Sequence, residues 1–495
     1  MKKIILLLAI FIGVFFASCD SYLDINEDPN SPPSSNITAD MVFPGLEMNL
    51  AASYGDFLRI VGGYYAQHYA QNFGTSNYLD YSQFLMSATR SSGTYLQLFA
   101  RTLNNIETVR NLASESEDWG TYLAATTLRV FTYQILVDAY GEIPYTEALD
   151  INNFSPKYDD GLTVYQGILA ELDEALSKAT PSSLVCTNFL FGTKTAEEWI
   201  KFANALKLKL LMRMSNVEDV KSQLDVLIAE NNFPTQDVSW DDCWVDESGK
   251  ASPFYQEEYA SYFGSTQINV ILNLAYLQTM SESEDARLMK FFNKNDNGEY
   301  KGGVSGTNFS TSKQYKAPYF CRPVFKYDMP VYLISISEIE FFLAEYYARY
   351  GTSAQAETHY KAAIDASFKS AGATGADIIY NTYYKWNNAD YAKLIGIQKW
   401  VALGGINNFE AWCEMRRLKY PTFGTATGTD IYNVANDVYQ PELCAPGTLY
   451  TPIQYNTELG AGKVLQRFRY AESSASRNSN VPPNKGDATP VFWAE

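Results

Sequence analysis

The chain is short of the side chains that do most protein chemistry. Its 495 residues include two histidines, His68 and His359. A Ser-His-Asp site needs imidazole at the reacting atom, and zinc sites commonly need it as a ligand. His68 falls among tyrosines on an apolar segment and His359 inside a helical repeat, so both read as packing or surface residues. Cysteine is scarce as well. Beyond Cys19 there are Cys186, Cys243, Cys321, Cys413 and Cys444, widely spaced and without a CxxC pair. That spacing removes zinc-ribbon and dithiol-redox readings and leaves one or two disulfides open. No P-loop or dinucleotide fingerprint occurs. Gly303-Val304-Ser305-Gly306 imitates a nucleophile elbow without its final glycine spacing. Asn293 to Gly298 imitates the start of a calcium loop, but Val304 stands where a bidentate acid is required.

Positive charge is the second shortage. There are 38 Lys+Arg against 56 Asp+Glu, a net charge of −18. Nucleic-acid binding needs clustered cations, and so does electrostatic attachment to an anionic membrane; neither is expected here. Long apolar runs are missing too. After the first 16 residues nothing approaches the roughly 20 apolar residues of a membrane-spanning helix.

The start of the chain is distinctive. Lys2 and Lys3 precede an uncharged run from Ile4 to Phe16, then Ala17, Ser18 and Cys19. A charged start, a short apolar run and small residues before a cysteine read as a secretory signal over residues 1–18. Cys19 then becomes the lipidated first residue of the mature chain, anchored by buried methylenes at about 0.8 kcal/mol each. Residues 19–38 contain Pro29, Pro32 and Pro33 and read as an extended tether.

The remainder, 39–495, is long for one core, and either two packed subdomains or one solenoid-like body would suit its length. Its pattern is mainly helical. Apolar spacing predicts helices over Asp40–Asn72, Tyr95–Ser114, Asp118–Ala139, Val164–Ala179 and Thr195–Ser215, the last with a Thr195/Glu198 capping box. Helical pattern returns from Ser335 to Phe368 and from Ala389 to Lys419. Residues 233–330 have weak periodicity and read as loops, short helices and a hairpin or two; the last 75 or so residues read as irregular. Leu343, Ala344, Tyr347, Gly351, Ala356, Tyr360 and Ala363 fit a tetratricopeptide unit, in which small residues admit close helix approach and rings fill the remaining space. Segments 122–149 and 164–179 form a degenerate second unit. Repeat units are thus expected over about 118–215 and 335–420.

Aromatics make up 15% of the chain, with 37 tyrosines. Tyrosine joins an apolar face to a polar tip, and most of these rings are expected to pack between helices. Asp241-Asp242, between Trp240 and Trp244, could supply a glycosidase acid pair, but a solvated loop is the plainer reading.

Several stretches together resemble the SusD/RagB-like family of outer-membrane nutrient-binding lipoproteins of Bacteroidetes. They are the lipoprotein start with Leu23-Asp24-Ile25-Asn26-Glu27-Asp28-Pro29-Asn30, Tyr133 to Tyr145, Trp199 to Leu208, the repeat at 338–368, and Ile397 to Trp400 with Glu410 to Arg417. The resemblance implies a mainly α fold with tetratricopeptide-like repeats as a scaffold and a loop-rich ligand-binding half. It implies a partner, a SusC-like TonB-dependent transporter over which the protein sits as a lid. It also implies an oligosaccharide or peptide ligand, no cofactor and no catalysis. Asp20 after Cys19 partly matches the acidic surface-export pattern of this group. A glycan-degrading enzyme and a protein-binding repeat scaffold remain the alternative readings.

Sugar rings stack their C–H faces on Tyr and Trp, and their hydroxyls bond amides and carboxylates. Chemistry and loop position therefore nominate Phe73, Asn77, Tyr78 and Tyr81, then Trp240, Trp244 and Tyr262, then Tyr315 and Tyr319, and finally Trp386. Trp199, Trp400 and Trp412 are expected to be packing residues, and Arg416 and Arg417 to bond carbonyls or acids of neighbouring helices.

Overall fold

The computed structural model describes residues 37–262, 268–316 and 318–495; the backbone of Tyr262 is included but not its side chain. The signal segment, Cys19 and most of the tether lie outside the described residues.

The first helical segment is α1 (Ala39–Ser53), a π-helical turn at Tyr54–Leu58 and α2 (Arg59–Tyr65) in one continuous run. It stops earlier than its apolar pattern predicts. Gln67 takes a left-handed conformation (φ 51°), and the chain leaves as strand β1 (Tyr69–Gln71). Next come α3 (Asn104–Glu115) and α4 (Trp119–Tyr140), which is buried along nearly its whole length. Asp118 caps α4 by accepting from Thr121 N, and Gly141 (φ 85°) ends it where glycine's freedom is needed. Helices α5 (Gly161–Lys178) and α6 (Glu197–Met214) follow. The expected capping box at Thr195 does not form: the N-cap is Ala196, without a side-chain bond, and Thr195 sits in a β-bridge with Leu184.

The repeat at 335–371 is an antiparallel pair, α7 (Ile336–Tyr350) and α8 (Ser353–Ala371). Ala344, Ala356 and Ala363 are fully buried, as is Tyr360, whose ring lies 6.3 Å from Phe341. A capping box does form here, between Thr352 and Gln355. Helices α9 (Tyr391–Leu403) and α10 (Asn408–Leu418) complete the scaffold. The irregular middle contains short strands with distant partners: β2 (Val238–Trp240) pairs with β6 (Val331–Ile334), β3 (Val270–Leu272) with β1, and β4 (Phe292–Asn293) with β5 (Arg322–Pro323). The final 75 or so residues are mostly irregular and wrap the helices, placing Trp493 in the core.

Trp199, Trp400 and Trp412 are buried packing residues. His68 is enclosed between the Trp400 carbonyl and Asn408, and burial pushes its imidazole down to about 3, so it stays neutral. His359 stacks on Tyr347 at 5.0 Å. The calcium-loop look-alike is a turn in which Asn295 Oδ1 accepts from the Asn297 and Glu299 amides. The five described cysteines are all free thiols, which answers the disulfide question left open above.

Charges, not only apolar groups, cross the helix interfaces. Arg213 on α6 pairs with Asp138 on α4 and with Glu410 and Glu414 on α10. Arg417 bridges Glu345 on α7 (2.5 Å) and Glu414 (2.7 Å), while Lys399 on α9 meets Glu414 at 2.9 Å. Lys209 on α6 lies 2.9 Å from Glu338 on α7. Burial alone would raise the Glu414 carboxyl, but Arg417, Lys399 and Arg213 hold it well below the usual range. Removing one member strands the others in the interior, a loss of about 3–5 kcal/mol. Glu414→Ala should lower unfolding free energy in urea by that amount, whereas Glu197→Ala, in an exposed pair with Lys201, should change it by less than about 1 kcal/mol. Equal effects would refute the network's role.

Candidate ligand-binding site

The first loop is built by side-chain amides. Gln71 at the end of β1 donates to Thr75 Oγ1 (2.5 Å) and accepts from Tyr78 N (2.9 Å). Asn72 donates to the Ile268 carbonyl (2.6 Å), and Gly74 N donates to Asn308 O (2.9 Å). Gly74 has φ 68°, a turn that glycine adopts without strain. The loop is thereby fixed to residues 268–269 and 308, which sequence places far away.

The nominated residues divide by environment. Tyr78 and Tyr81 stack at 5.6 Å, with Tyr64 5.8 Å from Tyr78 and the Arg90 guanidinium 5.5 Å from the Tyr81 ring centre. Both are largely buried; Phe73 is half-buried and Asn77 exposed. Tyr315 and Tyr319 are half-buried, 5.1 Å apart, with Tyr432 and Tyr439 at 5.7 and 5.5 Å from Tyr315. Phe309 lies 4.7 Å from Tyr432 and follows Asn308, so this ring cluster adjoins the first loop. Trp386 stands apart from both: it packs on Tyr360 of the repeat at 5.1 Å and donates to Ser353. Trp240 is a strand residue with no exposed surface, its indole N–H spent on Glu47, so the expected loop position is corrected. The Tyr262 side chain lies outside the described residues. Asp241 and Asp242 are exposed.

Trp244 lines a cavity of about 420 Å³ between α1, the turn at 243–251 and the short helix Pro253–Glu258. Its indole N–H donates to Trp240 O (2.8 Å), which fixes the ring and leaves its half-buried face. Opposite are residues sequence reasoning missed: Asp56, Gln256 and Glu257. Behind the wall Glu258 is buried and accepts from the Asn269 amide (3.3 Å) and the Tyr78 hydroxyl. Burial pushes the Glu258 carboxyl up to about 7 despite those donors, and burial likewise raises Asp56, with the charges of Glu257 and Glu258 adding to it. Among the described residues Asp56 Oδ1 has no donor. An aromatic face, an amide and carboxyls around one concavity are the groups that hold a polyol. The available signal was Asp56 interrupting an apolar helix and Glu257-Glu258 between Tyr255 and Tyr259; spacing alone did not join them to Trp244.

A helical-repeat scaffold carrying a loop-built concavity places the fold in the tetratricopeptide-like class. The chain belongs to the SusD-like family, whose model, described as "Starch-binding associating with outer membrane", matches residues 40–442. Among solved structures it is similar to a SusD homologue from Bacteroides uniformis at 21% identity and TM-score 0.74, covering 92% of this chain and 100% of that one. A chitin-binding SusD homologue from Flavobacterium johnsoniae matches at 18% identity and TM-score 0.69, over 91% and 99% of the two chains. A SusD/RagB family protein from Bacteroides thetaiotaomicron matches at 18% identity and TM-score 0.69, over 92% and 99%. At these identities the structures establish the fold. No curated protein matches.

The raised Glu258 has a measurable consequence. A carboxyl held near 7 when folded, against 4.5 ordinarily, contributes stability that is complete below the lower value and lost as pH rises through the upper one. Glu47, also near 7 through burial, has the same sign. Glu258→Gln should therefore flatten the fall in urea-unfolding free energy between pH 5 and pH 8; an unchanged slope would rule out this assignment.

Proposed function

We propose that the protein is a cell-surface lipoprotein that binds nutrient oligosaccharides and delivers them to a SusC-like TonB-dependent outer-membrane transporter. The observation that carries the reading is the family match over residues 40–442, whose description is starch binding at the outer membrane. The chitin-binding relative of the same fold is consistent with it. Within the chain, the Trp244 cavity with Asp56, Gln256 and Glu257 supplies stacking and hydrogen-bonding groups, and the Tyr315–Tyr319–Tyr439 cluster a second aromatic face. The site acts by holding a sugar, and no step of bond cleavage is part of the reading.

Attachment through Cys19 fits a body with no helix, among the described residues, long and apolar enough to cross a membrane. Helix α1 begins at Ala39, and in this reading residues 20–38 link it to Cys19, a length of chain that spans at most roughly 60 Å at about 3.3 Å per residue. That length lets the body move over a neighbouring barrel without detaching.

Two measurements test this. Trp244→Ala should weaken an oligosaccharide that binds the wild type by about tenfold, the size of one stacking contact near 1.4 kcal/mol, with the melting transition retained. Undiminished affinity would remove Trp244 from the site. Cys19→Ala should shift the protein from membrane to soluble fractions with ligand affinity unchanged, and solubilised wild type should co-purify a TonB-dependent barrel; a wild type that purifies without one would reject the delivery step.

A further inference from the structure

In a chain of net charge −18, one cavity carries three cations in its lining. It has a volume of about 550 Å³ and lies between the end of α10, the turn at 419–423 and the C-terminal segments 459–466 and 488–495. Arg416, Lys419 and Lys463 line it, with Glu495 as its acidic residue.

Unlike Arg213, Arg417, Lys209 and Lys399, Arg416 forms no salt bridge among the described residues. Its guanidinium donates to the carbonyls of Gln466 (2.7 Å), Asp138 (2.9 Å) and Trp412 (3.3 Å) and to Cys413 Sγ (3.2 Å). It lies 3.5 Å from the Trp412 ring centre. These acceptors take up four of its N–H groups, and among the described residues no carboxylate lies within salt-bridge distance of it, the Asp138 charge acting on it from further off. The nearby Asp138 carboxylate is already engaged by Arg213, Tyr165 and Trp493. Lys419 donates to the Ala494 carbonyl, and burial with the neighbouring Arg416 lowers its ammonium. Lys463 is exposed at the rim, and among the described residues no carboxylate pairs with it or with Lys419. Other acids of this region are occupied: Glu142 by Arg467 and Lys485, Asp487 and Glu458 by Arg469. Glu495 and the partial negative charge of the α10 carboxyl end oppose these three cations without cancelling them. A recess with surplus positive charge and low-dielectric walls focuses its field on an anion.

We propose that this cavity is a second binding site, specific for an oxyanion, the carboxylate or sulfate of an acidic sugar or a free inorganic anion. It is separate from the Trp244 cavity, shares no lining residue with it, and does not depend on the glycan reading.

Calorimetric titration of the mature chain at low ionic strength with sodium sulfate and D-glucuronate, and D-glucose as the neutral control, tests it. Saturable binding of either anion, absent for glucose and weakened about tenfold or more in Lys419→Gln/Lys463→Gln, is expected. Arg416 is left intact because it also holds the core. Tighter glucuronate than sulfate assigns the site to acidic sugars; equal binding assigns it to small inorganic anions. No saturable binding of either anion, or binding undiminished in the double variant, overturns the proposal. Neutral-oligosaccharide affinity of that variant should match wild type, which separates failure here from failure of the Trp244 site.

Discussion

The ion network centred on Arg213, Glu410, Glu414 and Arg417 is the interaction on which the rest of the molecule depends. It joins α4, α6, α7, α9 and α10, helices supplied by segments almost 300 residues apart. Apolar packing alone would tolerate sliding between such helices, since one aliphatic contact replaces another at little cost. Buried charges do not tolerate it: each carboxylate must keep its cation or face the interior alone. The network therefore sets helix register, and register positions α2 against α10, where Gly62 lies so close to the Asn408 backbone that a Cβ would meet it at 2.5 Å. From α2 the chain passes directly into β1 and the first loop, so the placement of Tyr78 and Asn72 inherits the fit of the scaffold.

Legibility in the sequence followed the range of the forces involved. Helices α4, α5, α7 and α8 were readable because their apolar period, their small residues and their glycine stop are local. The repeat was readable for the same reason, and Ala344, Ala356, Tyr360 and Ala363 occupy the interface that their spacing implies. Thr195 misled because a capping box is only potential until the backbone turns there, and the bridge to Leu184 claimed that residue first. Trp240 misled because a three-residue strand carries too few positions to show alternation, and its partner β6 lies some 90 residues further on.

The loop-rich half shows the limit most clearly. Trp244 could be nominated by type, but its cavity is assembled from α1, a turn and a six-residue helix whose only relation is spatial. The half-buried Asp56 and the buried Glu258 were invisible for a further reason. In a chain with 56 acids, a carboxyl is conspicuous only when burial has changed its protonation, and burial is a tertiary property. Tetratricopeptide-like helices provide rigidity at one side, while the loops opposite take their shape from amide side chains such as Gln71, Asn72 and Asn308 that substitute for secondary structure.

The five free thiols bear on how such a protein reaches its destination. Cys186, Cys413 and Cys444 are buried and their thiols are raised by burial, which keeps them as unreactive neutral groups. Among the described residues the fold is thus held without a disulfide, and a reducing environment leaves its cross-links unchanged.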